Sequence, residues 1–396
     1  MRGLRESLAA KLRRLQRLYL DVCVRCSLCS LKCPAYEASE DLRAAPSYRV
    51  RLLCDLLRRP GKFSKDAELL ASTYSCALCG RCEESCPFGI DVPSLWLSLR
   101  EAIHSSGLSY GPLKELEEAV LKLKNPYGAE PHMRAYWAEM VGLEEEVKRA
   151  RGRRAEVLLF AGCTPSLRSV AQDILASAVR LLERARASWA LLDDEWCCGY
   201  PLILLGNGEA AAEFAKHNAE AIEAAAPKYL TTVCPTCYKM FRFEYPALLG
   251  RPTRFMAVHI TELLARYFIE LKLEAPAKLD LRVAYHDPCD LARASGVTEA
   301  PRVLIREVSR ELIELPGNRL NTYCCGGGGL LQAVNNELRL KIAKRRLREA
   351  VEAGADVLAS ACPSCKASLA EAAREGGLGV EVLDVVELVA RALGLA

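Results

Sequence analysis

Two short stretches hold eight cysteines at one repeated spacing. Cys23, Cys26, Cys29 and Cys33 are followed by Pro34, and Cys76, Cys79, Cys82 and Cys86 by Pro87. Three thiolates two residues apart on a tight loop can turn inward around a common metal centre, and C-x2-C-x2-C-x3-C-P is the run used for 4Fe–4S cubane clusters. The fourth cysteine of such a run ligates the other cluster. One cubane is therefore expected on Cys23, Cys26, Cys29 and Cys86, and a second on Cys76, Cys79, Cys82 and Cys33. Tetrahedral zinc also accepts paired C-x2-C ligands and is the alternative. Two clusters side by side would make a one-electron wire rather than a place where bonds change.

Ten further cysteines form two quintets. Each has a lone cysteine, then Cys-Cys-Gly, then Cys-Pro-x-Cys: Cys163, Cys197, Cys198, Cys234 and Cys237, then Cys289, Cys324, Cys325, Cys362 and Cys365. Adjacent cysteines rarely pair with each other without strain. As metal ligands they are usable where a following glycine lets the backbone bend, and Gly199 and Gly326–Gly329 supply that freedom. The glycine run has no Lys-Ser/Thr behind it, so a phosphate loop is not expected. Five thiolates exceed what tetrahedral zinc uses. The quintets point instead to an iron–sulfur cluster with more than four ligands, or one with a spare thiolate.

The elements that must position these sulfurs change character along the chain. Residues 1–20 place Leu4, Leu8, Leu12, Leu15 and Tyr19 on one helical stripe with arginines opposite, the pattern of a helix packing on its own domain; a membrane-surface or partner-docking helix and an Arg-rich targeting peptide are the other readings. Between the cysteine runs, residues 34–75 read as helix, with Tyr48, Leu52, Leu53 and Leu56 on an apolar face that Pro60–Lys62 ends. Cys54 in that helix has no partner at ligand spacing and reads as a buried core thiol. Residues 94–153 are mostly helical, broken at Asn125–Gly128, with a boundary at Lys148–Arg154.

Beyond that point short β-rich runs alternate with helices, the signature of parallel α/β layering. The alternation then recurs. Cys163, Cys197 and Cys234 have counterparts Cys289, Cys324 and Cys362, displaced by 126, 127 and 128 residues, which indicates a duplicated domain. The expected organisation is an all-α ferredoxin-type domain over 1–105, a helical linker over 106–153, and α/β cysteine-rich domains over 154–276 and 277–396.

The totals restrict the class. At 396 residues the chain calls for two or three domains. Nineteen cysteines without a secretion signal argue against a disulfide scaffold and for thiolate-bound metal in a reducing compartment. The net charge of +4, with no basic patch interleaved with aromatics, makes nucleic acid a poor partner. No apolar run is long enough to span a bilayer. Three glutamines and seven asparagines are a depletion associated with hot environments.

The lone Cys, Cys-Cys-Gly, Cys-Pro-x-Cys pattern, present twice behind two ferredoxin-type runs, resembles the heterodisulfide reductase D subunit and the related K subunit of a sulfite-reduction-associated membrane complex. Asn125–Gly128, Cys197–Leu202, Tyr285–Cys289, Cys324–Gly329 and Cys362–Cys365 match landmarks of that family, and the likeness covers essentially the whole chain. It implies one or two non-cubane 4Fe–4S clusters on the ten cysteines, a small thiol or disulfide substrate gripped between the two domains, and Cys198 and Cys325 at the centre of the chemistry. It also implies electrons arriving through the ferredoxin-type module from a membrane haem b protein or a soluble flavoprotein, in a cytoplasmic protein that can sit peripherally on the membrane. Asp290 departs from the family, which commonly has His there, so a proton-donor role is in doubt at that position. His286 is then the candidate donor, or a structural histidine at a strand end. Relatives of this layout also serve flavin-dependent glycolate or lactate dehydrogenases as electron-transfer subunits, the alternative reading; both Cys-Pro-x-Cys pairs being complete favours disulfide chemistry.

Overall fold

The computed structural model describes residues 2–58, 67–108, 110–270 and 272–395. Its C-terminal part contains two four-stranded sheets with the same order and all strands parallel. The first consists of β1 (Val157–Phe160), β2 (Trp189–Ala190), β3 (Tyr229–Thr232) and β4 (Met256–His259), in the order β2-β1-β3-β4. The second consists of β5 (Leu279–His286), β6 (Ser309–Glu314), β7 (Val357–Ser360) and β8 (Glu381–Asp384), in the order β6-β5-β7-β8. Parallel strands joined by helices are covered on both faces, and so β1 and β7 are buried at every position. The duplication seen in the cysteine spacing is thus a duplication of topology.

Ligands in open α/β sheets gather beyond the carboxyl ends of the strands. Here Phe160 ends β1 opposite Thr232 at the end of β3, and His286 ends β5 opposite Ser360 at the end of β7. Cys163, Cys234, Cys289 and Cys362 follow those ends within two or three residues. The helices Ser169–Arg184 and Ile260–Ile269 of the first repeat pack on Val385–Ala392 and Glu299–Val308 of the second, in one shared apolar core. The two halves are fixed relative to one another by that burial.

The N-terminal module is all helical around Leu4, Leu8, Leu53, Leu95, Trp96 and Leu99. Cys54 is buried there. The predicted single helix over residues 1–20 is two, Arg2–Lys11 and Arg14–Val22. Gln16 accepts from the Arg13 backbone N–H at 2.9 Å and caps the start of the second helix. Leu4, Leu8 and Leu12 stay in the core, whereas Leu15 is 56 % exposed and does not share their stripe. The spacer predicted as helix is Pro34–Ser39, a 3-10 turn Leu42–Ala44, Pro46–Arg58 and Ala67–Tyr74; the Pro60–Lys62 stop lies outside the described residues. At the boundary read over 148–154, Arg151 and Gly152 run beside Leu191 at the sheet edge.

Candidate metal centres and the cavity between them

The ferredoxin-type loops adopt left-handed backbone at Arg25, Ser27, Leu78 and Gly80, which reverses the chain between cysteines and turns their side chains to one side. Their sulfurs gather in crossed sets. The Cys29 thiol is pushed up by burial and by the nearby sulfurs of Cys23, Cys86 and Cys26. Cys33 is pushed up to about 11 by burial, with Cys76 and Cys79 adding to it. Cys82 is raised by burial and by Cys79, Cys33 and Cys76. Arg49 is fully buried beside Cys76, Cys33 and Cys82 and donates to Ser75 O at 2.8 Å, so a cation faces this inner set. The outer set includes Cys26, which is exposed.

Each quintet assembles in the same way. In the first repeat the sulfurs run Cys163, Cys197, Cys198, Cys237, Cys234, each close enough to shift the pKa of the next. In the second, Cys289, Cys324, Cys325, Cys365 and Cys362 follow the same path, with Cys325 Sγ donating to Cys365 Sγ at 3.2 Å. The second cysteine of each adjacent pair is the most acidic. Cys198 is drawn down to about 6 by hydrogen bonds from Cys197 and Cys237, and Cys325 well below its usual range by Cys324 and Cys365. A ring nitrogen of His286 lies within 4.8 Å of the Cys325 and Cys365 sulfurs.

The two quintets line one cavity of about 360 Å³ between the halves, and all ten sulfur-bearing residues border it. Cys234 of the first repeat lies close enough to Cys362 of the second to raise its pKa. Asp290 ties the walls together: its carboxylate accepts from Lys239 Nζ at 3.0 Å and from Thr236 Oγ1 at 2.7 Å, both across the interface. The position where sequence left a proton donor in doubt is thus a structural ion pair. Lys239 also donates to the Tyr200 hydroxyl at 3.2 Å.

The segment read only as a helical linker reaches this cavity. Asn125 builds the turn, its side chain accepting from Tyr127 N–H and Ala129 N–H and donating to the Leu123 and Ala129 carbonyls. Pro126 and Tyr127 then line the cavity, and the Tyr127 hydroxyl bonds Thr164 at 2.8 Å. Farther on, Arg134 donates to Cys163 Sγ at 3.5 Å and pairs with buried Glu195 at 2.9 Å. Arg49, Arg134 and Glu195 gave no signal in the sequence because each contact joins distant segments. Only the Asn-Pro-Tyr-Gly turn carried a local signal.

The ferredoxin-type module meets the second repeat backbone to backbone. A methyl on Gly329 would lie 1.9 Å from Cys76 O, and one on Gly328 2.7 Å from Ala77 O. The glycine run therefore admits the Cys76 loop on one side, while Gly327, Gly328 and Gly329 also border the cavity on the other. Arg100, fully buried, donates to the carbonyls of Thr73 and Cys76, of Leu204 in the first repeat, and of Gly329 in the second. At this junction the Cys79 thiol packs beside Cys324, whose thiol lowers it to about 6.

The donor set can be tested against the groups it could hold. Four thiols with no nitrogen or carboxylate ligand suit a cubane in each N-terminal set. Five thiols bordering an open cavity exceed a closed tetrahedral zinc site and fit an iron–sulfur centre with room for an outside atom. The only other grouping of metal-ligating side chains among the described residues is His286 with Cys325 and Cys365, inside the second quintet.

The 4Fe-4S dicluster domain family matches residues 19–90, and the Cysteine-rich domain family matches 157–242 and 283–370. The chain is 33 % identical to the D subunit of the dihydromethanophenazine:CoB–CoM heterodisulfide reductase of Methanosarcina acetivorans, over 96 % of each chain. It is 27 % identical to the EtfAB:quinone oxidoreductase of Syntrophomonas wolfei, over 95 % of this chain and 58 % of that one. A crystal structure of a hypothetical protein from Helicobacter pylori shares the fold, with a TM-score of 0.64 at 12 % identity, covering 98 % of this chain and 74 % of that chain.

Proposed function

The chain belongs to the heterodisulfide reductase D-subunit family and is an iron–sulfur oxidoreductase, and from that premise we propose that it cleaves or forms a small-molecule disulfide in the cavity between its repeats. One observation carries the reading: all ten cysteines of the two quintets border a single cavity of about 360 Å³, large enough for a small disulfide.

Cys23, Cys26, Cys29 and Cys86 would hold the outer cubane, and Cys33, Cys76, Cys79 and Cys82 the inner one. Cys163, Cys197, Cys198, Cys234 and Cys237 would hold one non-cubane cluster, and Cys289, Cys324, Cys325, Cys362 and Cys365 the other. Such centres, when bound, supply single electrons and an iron atom to which a sulfur can bond. The net reaction in the reducing direction is RSSR + 2 e⁻ + 2 H⁺ → 2 RSH; the S–S bond breaks, and a redox partner, either a membrane haem b protein or a soluble flavoprotein, is oxidised.

The chain's residues arrange this. Exposed Cys26 puts the outer set where a partner can approach. The Cys79–Cys324 contact joins the inner set to the second quintet, and Arg100 fixes that joint. The Asp290–Lys239 pair holds the walls at one separation, so both sulfurs of a bound disulfide meet a quintet. His286 Nδ1 accepts from Arg346 at 3.3 Å, which leaves the proton on Nε2, in a ring beside Cys325 and Cys365. His286 does not itself border the cavity, so that proton would reach a departing thiolate by way of those two sulfurs. No helix of the described residues is long and apolar enough to cross a membrane; a cytoplasmic location, peripheral on the membrane when docked, is part of the proposal.

Anaerobic reconstitution followed by EPR of the oxidised protein, with and without thiols, tests this. A thiol-dependent paramagnetic signal is expected. Cys198→Ser and Cys325→Ser should abolish disulfide turnover while the cubane signals persist, and unchanged turnover in both would refute the assignment. Activity only with a 2-hydroxy acid and a flavoprotein, with no response to thiols, would make the chain a relay instead.

A further inference from the structure

The two quintets follow the same order of sulfurs but differ in what surrounds the lone cysteine. Arg134 Nη2 lies 3.5 Å from Cys163 Sγ, and among the described residues no other arginine or lysine side chain donates to a sulfur of either quintet. The guanidinium is held from behind. Arg134 Nη1 meets Glu195 Oε1 at 2.9 Å, and Glu195 accepts the Ala161 and Gly162 backbone N–H groups at 2.8 and 2.9 Å. Arg134 and Glu195 are nearly buried, with side chains 14 and 4 % exposed.

The second repeat cannot copy this clamp. The counterpart of Gly162 is Pro288, which has no N–H to give, and the counterpart of Glu195 is Thr322, whose hydroxyl donates instead to Asp287 O at 2.8 Å. The buried arginines of that repeat are paired with carboxylates rather than with a quintet sulfur: Arg302 with Asp287 at 2.7 Å and with Glu314, Arg339 with Glu371 at 2.7 Å, and Arg346 with Glu349 at 2.6 Å.

Hydrogen bonds to ligand sulfurs, and charge beside them, raise the potential of an iron–sulfur centre. We infer that Arg134 is a positioning residue that makes the Cys163 quintet the stronger electron acceptor, so that electrons delivered beside Cys324 settle at the far wall of the cavity. In that transfer the second-quintet centre is oxidised and the first is reduced. The inference rests on the quintets holding iron, as proposed above.

The test is an EPR-monitored redox titration of the full reconstituted chain as wild type, Arg134→Gln, Arg134→Lys and Glu195→Gln. Arg134→Gln should move the first-quintet midpoint to lower potential and leave the second-quintet and cubane midpoints in place. Arg134→Lys keeps the charge and should recover most of the shift, which a purely structural role would not produce. Glu195→Gln removes the counter-charge and should move the same midpoint the opposite way; if the Arg134 variants lose iron, the sign of this shift decides. First-quintet midpoints that stay fixed in chains with full iron, or move equally at both quintets, would overturn the inference. A wild-type chain with iron in its cubanes and none in either quintet would overturn the functional reading, and the inference with it.

Discussion

The Cys79 thiol meets the Cys324 thiol across the joint between the ferredoxin-type module and the second repeat. A ligand of one expected centre thus touches a ligand of the next, and the first quintet lies beyond it on the opposite wall of the cavity.

This joint has no room for a side chain. Gly329→Ala would bring its methyl to 1.9 Å from Cys76 O, at a left-handed φ of +65°. The variant should lose roughly 3 kcal/mol of stability through clash and backbone strain. Gly89→Ala shares the left-handed φ but meets nothing within 4 Å, and should lose only about 1 kcal/mol. Chemical denaturation of both variants checks the contrast.

Arg100 bonds four carbonyls from three parts of the chain, at 3.1 to 3.4 Å. Arg100→Met leaves buried acceptors unpaired and should cost on the order of 3 kcal/mol. Arg100→Lys keeps the charge but cannot reach all four, so it should cost about half as much. Thermal unfolding under anaerobic conditions reports both, and an unchanged midpoint in Arg100→Met would contradict the role.

The Asp290–Lys239 pair is mostly buried, with side chains 22 and 14 % exposed. Asp290→Ala strands the lysine and should destabilise by about 2 kcal/mol, while adding Lys239→Met should restore much of that. A double-mutant cycle measures the coupling. Simple additivity would mean that the pair does not hold the walls together.

His259 ends β4, is fully buried, and is lowered to about 3 by that burial. Its unfolded value is near 6.5. The native state binds fewer protons between those values, so stability present above pH 6.5 is lost as pH falls toward 3, by about 1.4 kcal/mol per unit. At pH 5 the loss should be about 2 kcal/mol. His259→Asn, which can still cap the following helix, should flatten the slope in denaturation series between pH 7.5 and 5.

The cysteines were legible because ligand spacing is local, and the repeat was legible because it displaces every landmark by nearly the same number of residues. The parallel α/β halves followed from alternating elements. Contacts between distant segments were not legible. Arg134 looks in sequence like any basic residue of a charged helical stretch, and only folding sets it against Cys163. Asp290 stood out as a departure, but its partners Lys239 and Thr236 lie in the other repeat. The break after Leu12 was hidden because Leu15 continues the heptad-like pattern across it.

Main chain pressed against main chain at Gly328 and Gly329 leaves no rotamer to adjust. Where side chains form a contact, a substitution can often be absorbed by repacking nearby; here any added atom translates directly into a wider gap. Tunnelling falls off steeply with separation, so a single methyl group at this joint would slow electron delivery without altering any of the cysteines.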